Sequence, residues 1–140
     1  MAQKHQAVFT ERAPTPLPQF SQAVILNGIV YCSGNIGVLP GTNFEQVEGT
    51  VKDRTVCDNL FGNVYLMMST DHVQRQALKN ISAVLEASGC SLQTVVKMNI
   101  YITKMSNFGL VNEAYDEFFT WDLKPVSTSL GNIELFDKSG

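Results

Sequence analysis

The chain has 140 residues, enough for one domain, and a core of that size needs no disulfide or metal staple. Hydrophobic residues at 44%, charged residues at 16% and a formal net charge of −3 describe a globular chain and argue against a nucleic-acid surface, which would show clustered Lys and Arg. No apolar run approaches the roughly 20 residues that cross a bilayer, and residues 1–10 show neither a secretory h-region nor an Arg-rich amphipathic pattern. Cys32, Cys57 and Cys90 have no C-x-x-C spacing and read as reduced thiols, so a cytoplasmic setting is expected, with a mitochondrial one as the alternative. His5 and His72 lie far apart without paired ligands, which leaves no metal site to predict.

Residues 7–10 form a short strand candidate. Pro14, Pro16 and Pro18 forbid helix in the next stretch and favour extended surface backbone. Residues 21–26 and 29–33 are two strand-like runs joined by Asn27-Gly28, and both turn residues tolerate the positive φ of a type I′ hairpin. Ser33-Gly34-Asn35-Ile36-Gly37 then reads as loop. From Arg75 to Ser88 the spacing of Ala77, Leu78, Ile81, Val84, Leu85 and Ser88 predicts a helix, which Gly89 stops. Residues 94–103 alternate as a strand, with Val96, Met98, Ile100 and Ile102 on one face. Ser106 or Asn107 can cap a second helix with Phe108, Val111, Tyr115 and Phe118 as its stripe; Pro125 breaks it, and residues 126–130 form a last strand candidate. The order β-β-β-α-β-α-β predicts an α+β layer with both helices on one sheet face.

Five segments, in this order, resemble the Rid family (YjgF-type proteins, also known as endoribonuclease L-PSP-like). They are Pro18-Gln19-Phe20-Ser21-Gln22-Ala23-Val24, Val30-Tyr31-Cys32-Ser33-Gly34-Asn35-Ile36, Leu78-Lys79-Asn80-Ile81 through Gly89, Val95-Val96-Lys97 with Tyr101-Ile102, and Asn107-Phe108 with Val111-Asn112-Glu113-Ala114-Tyr115. None is decisive alone; five in register are specific. The resemblance implies a chorismate-mutase-like fold that assembles as a homotrimer with active sites in the clefts between subunits. It also implies cofactor-free hydrolysis of reactive enamines and imines, such as 2-aminoacrylate, to 2-keto acids and ammonia. The substrate would be a small imine or enamine bearing a carboxylate. Ribonuclease activity, also described in the family, finds no catalytic His pair and no basic surface here.

Such hydrolysis needs the carboxylate held, a water placed against the imine carbon, and proton exchange with nitrogen. The resemblance assigns a hydroxyl and a backbone N–H near the reacting atoms to Ser33 and Gly34. Phe20, at the family's usual tyrosine position, would supply an aromatic wall, and Asn112 an amide that holds backbone or substrate. Each has a plainer reading: a turn closing a strand for Ser33-Gly34, a core or interface aromatic for Phe20, a solvated helix amide for Asn112. Cys32 alternates away from Ser33 and reads as a small core residue. Cys90, behind the helix-stopping glycine, has no base nearby in sequence to activate it.

Two stretches depart from the family pattern. Joining Thr55 to Arg75 would give one continuous amphipathic helix, with Val51, Thr55, Ala77 and Ile81 on consecutive turns, so residues 56–74 read as an insertion into a single domain of residues 1–140. It carries the apolar cluster Val64-Tyr65-Leu66-Met67-Met68. Val56-Cys57 can be encoded GTATGT and Gln74 CAG, the signals of an intron's ends, so translated intron is the favoured reading and a genuine surface loop the alternative. The second departure follows Pro125-Val126. There Ser127 stands where the family places the arginine whose planar guanidinium would grip the carboxylate, and residues 127–140 lack the family's last strand. The expectation is a weak catalyst or none, the alternative being a non-catalytic trimeric small-molecule-binding or chaperone-like protein.

Overall fold

The computed structural model describes residues 4–42, 45, 64–68, 71–102 and 105–131. Strands β1 (Gln6–Val8), β2 (Ala23–Leu26) and β3 (Ile29–Cys32) form an antiparallel meander. Asn27 (φ 54°) and Gly28 (φ 75°) form the turn between β2 and β3, with Leu26 opposite Ile29, as the Asn-Gly pair predicts.

Strand β4 (Val64–Met68), helix α1 (Asp71–Ala87) and β5 (Lys97–Ile102) make one parallel crossover. Helix α2 (Phe108–Phe118) and β6 (Val126–Gly131) make a second. The strands therefore fall into two three-stranded sheets, β1-β2-β3 and β4-β5-β6, rather than one. Helix α1 packs on β3, β4 and α2, and β3 approaches β4. The class is α+β, as expected.

The structure adds a strand that the sequence pattern did not predict. Val64–Met68 pair along β5 from Val64 opposite Met98 to Met68 opposite Ile102, so this part of residues 56–74 is sheet and not surface loop. Helix α1 starts at Asp71, a turn before the apolar spacing begins. The remaining positions of that segment, Asn59, Gly62 and Asn63 among them, lie outside the described residues, as do residues 132–140, where a family-type last strand would fall.

Helix α1 ends as predicted. Gly89 has φ 77°, Cys90 N–H donates to Leu85 O (2.8 Å) and Gly89 N–H to Glu86 O (3.0 Å), the paired bonds of a Schellman cap. The next strand begins later than expected. The Thr94 hydroxyl folds back onto Ser91 O (2.8 Å), Leu92–Thr94 form a 3-10 turn, and Val96, expected on the buried face, is 78% exposed. Helix α2 stops at Phe118, well before Pro125, because Phe119 leaves the helix to become one of the largest fully buried side chains.

The core joins the α1 stripe (Ala77, Leu78, Ile81, Val84, Leu85) to Met98, Ile100 and Ile102 of β5, to Val111 and to Phe119. Strand β5 is buried on both faces, as a strand between two parallel neighbours should be. Strand β6 is its opposite: every residue from Val126 to Leu130 is exposed. Among the described residues, no helix is long and apolar enough to cross a membrane.

Candidate functional site

The β2–β3 hairpin brings the start of one strand beside the end of the other, which sets Ser21 and Gln22 against Ser33. Ser33 N–H donates to Gln22 O (3.0 Å) and its hydroxyl to Ser21 O (2.5 Å). With that proton committed, the Ser33 oxygen is left as an acceptor, and it is poorly placed to act as a nucleophile. Asn35 Nδ2 donates to Ser33 O (3.0 Å) and folds the loop back on itself. Gly34 sits between them, half-buried. Phe20 N–H closes a turn onto Leu17 O (2.9 Å), and the ring is 62% exposed one residue before the carbonyl that holds Ser33. Phe20, Ser33 and Gly34 thus gather at one end of the hairpin, and Phe20 is not a core aromatic of this chain.

Asn112 and Ser127 are placed elsewhere. Asn112 lies exposed on α2. Ser127 lies exposed on β6, opposite Met98 of β5. Ser33 follows the last strand of the β1-β2-β3 sheet, whereas Ser127 stands on the edge strand of the β4-β5-β6 sheet. Lys124, the nearest cation in sequence, bonds Asp116 (2.8 Å).

Cys32 is the small core residue expected, while Cys57 lies outside the described residues. Cys32 is buried at the end of β3, and desolvation first, then the nearby Cys90, pushes its thiol up to about 12, so it stays protonated at neutral pH. Tyr115, stacked on Phe119 with ring centroids 4.1 Å apart, is likewise pushed up to about 12 by burial and then by Asp116.

Two buried amides that the motifs contained, but that were not singled out, prove to organise the region. Gln22, 5% exposed, accepts Thr10 N–H (2.6 Å) and donates to Thr10 O (2.9 Å) and Pro14 O (2.9 Å), stapling the proline-rich segment to β2. Asn80, fully buried on α1, donates to Ile36 O (3.1 Å) and Val38 O (2.9 Å) in the loop that follows Ser33. The usable signal was a polar residue inside an otherwise apolar helical stripe.

Comparison with known proteins bears on the family and the fold. The endoribonuclease L-PSP family matches residues 10–136. A RutC family protein of Pyrococcus horikoshii is 36% identical over 114 residues, 81% of this chain and 75% of its own. The 2-iminobutanoate/2-iminopropanoate deaminase of Dermatophagoides farinae is 34% identical over 128 residues, 91% of this chain and 84% of its own. Among solved structures, RidA from the Antarctic bacterium Psychrobacter superposes with a TM-score of 0.73 at 28% identity, covering 95% of this chain and 89% of that one. Escherichia coli TdcF with bound serine gives 0.70 at 25%, covering 90% and 84%. Sequence motifs, fold and relatives converge: the chain belongs to the endoribonuclease L-PSP family, the Rid or YjgF-type proteins.

Proposed function

We propose that this protein belongs to the imine-hydrolysing branch of its family and acts on 2-imino or 2-enamine acids such as 2-aminoacrylate. The observation that carries the reading is the Ser33 hydroxyl, proton committed to Ser21 O, offering its lone pairs at the end of the hairpin beside Gly34 and Phe20. An acceptor there suits an iminium N–H. Water oxygen bonds to the imine carbon while the C=N electron pair passes to nitrogen. One water proton moves to nitrogen, the C–N bond breaks with its pair leaving on nitrogen, and the remaining hydroxyl proton is released as C=O forms, leaving a keto acid and ammonia. The naming of mite and rat relatives as 2-iminobutanoate/2-iminopropanoate deaminases supports the substrate class, and serine bound to TdcF supports a small ligand with a carboxylate.

The carboxylate grip is the weak point. In this reading Ser127 occupies the position of a guanidinium, and its hydroxyl cannot supply the two parallel N–H donors a carboxylate takes. Position 127 stands on the edge strand of the second sheet and Ser33 at the end of the first; a homotrimer whose crevice pairs one protomer's hairpin with another's β6 is part of the proposal, with Asn112 flanking it on α2. Residues 56–74 as an insertion into one domain, and residues 127–140 as an ending unlike the family's, complete the reading, which makes this polypeptide a slow deaminase. A cytoplasmic location goes with it, although relatives include a chloroplastic form in Arabidopsis and a mitochondrial one in fission yeast.

A second reading, a non-catalytic trimeric small-molecule-binding or chaperone-like protein, draws on the same Ser127 and on Lys124 being engaged by Asp116. A coupled assay separates the two. A pyridoxal-phosphate-dependent dehydratase generates 2-aminoacrylate, and ammonia release is followed with this chain and with one lacking residues 56–74 and carrying a family-type ending. Faster release by the repaired chain alone supports the deaminase reading. No acceleration by either chain favours the binding protein.

A further inference from the structure

We infer that Asn80 is a positioning residue that sets the Ser33–Gly34 end of the site from the far side of the loop, an inference that rests on the reading of that loop as the reacting end. Asn80 is 0% exposed in the middle of α1, on the stripe otherwise made of Ala77, Leu78, Ile81, Val84 and Leu85. A leucine there would fill similar space at no cost to the helix. The amide is used instead for its polar groups. Nδ2 donates to Ile36 O (3.1 Å) and Val38 O (2.9 Å), while Oδ1 accepts from Gln76 Nε2 (2.8 Å), one turn earlier on the helix.

The loop itself explains why two bonds suffice. Val38 N–H returns to Ile36 O (2.8 Å), a tight turn around the buried Gly37. Asn80 therefore grips both sides of that turn. At its other end the loop is fixed by Ser33 on Ser21 and Gln22. Only Gly34 and Asn35 lie between the two anchors, so the backbone at Gly34 has little freedom beyond what the anchors allow. Gln76 holds the amide in the orientation that presents both N–H groups to the carbonyls. Asn80 acts through the loop, without touching ligand.

The experiment uses the full chain with Asn80→Asp and, as a milder variant certain to keep Nδ2, Gln76→Ala. Asn80→Asp keeps the shape but sets oxygen against two carbonyl oxygens. Amide hydrogen exchange is measured over residues 33–39 and over the C-terminal turns of α1. Kinetics of 2-aminoacrylate hydrolysis are measured with and without Ser127→Arg. Loss of a buried bond raises loop exchange about tenfold in Asn80→Asp and about threefold in Gln76→Ala, with α1 unchanged. The rate constant kcat falls in step while KM moves little. Exchange that stays at the parent's value, rises equally through α1, or rises without lowering kcat overturns the inference. Absence of turnover in every chain sinks the imine reading instead, and the exchange pattern still decides whether Asn80 places the loop.

Discussion

Cys32 ends β3 with its thiol among apolar neighbours, and burial moves it from an ordinary 9.0 to about 12. The thiol of the unfolded chain ionises first, so the stability this group confers is complete below pH 9.0 and is lost as pH rises towards about 12. Tyr115, raised from 10.0 to about 12, acts in the same direction. The expected outcome is a urea midpoint that declines above pH 9, and a shallower decline for Cys32→Ala, which at neutral pH costs about 1 kcal/mol for the lost contact. Gln22 belongs to the same scale. In Gln22→Leu the Thr10 N–H and the Thr10 and Pro14 carbonyls lose their partner, and chemical denaturation should show a loss of about 2–3 kcal/mol. Cys32's burial was legible from its alternation along β3, but Gln22's role was not: an amide inside a family-like motif looks the same whether it faces solvent or staples a loop.

Among the elements, legibility follows how local the cause is. The hairpin and the end of α1 could be read directly, because Asn27, Gly28 and Gly89 carry the positive φ that their turns demand. Gly28→Ala and Gly89→Ala should each lower stability by about 1 kcal/mol, readable as a drop in melting temperature. Strand β4 could not be read, since Val64-Tyr65-Leu66-Met67-Met68 shows no alternation and its pairing with β5 joins residues more than thirty positions apart. Phe119 was missed for a similar reason: a residue just past a helix end reveals nothing about the core it enters. The β4 ladder has a consequence for residues 56–74. Deleting them alone should lower the melting temperature, because β5 loses its neighbour; deleting them together with a family-type ending should restore it. A chain that melts unchanged after the simple deletion would show that β4 carries no stability.

For the whole molecule, the arrangement of the candidate residues is the informative fact. The fold class followed from the order of elements, but the placing of Ser33 beside one sheet and Ser127 on the edge strand of the other is a property of the topology that no linear motif encodes. In the proposed trimer, the exposed β6 of one protomer would face the exposed Phe20 of another. Light scattering after size exclusion is expected to give three times the chain mass. Within such a crevice the account stands on a guanidinium at position 127, which this chain lacks. The most direct measurement compares ammonia release from dehydratase-generated 2-aminoacrylate by two chains in the same repaired background, one with serine and one with arginine at position 127. The account predicts rapid release only where the substitution is present, and equal rates with serine and arginine at that position would contradict it.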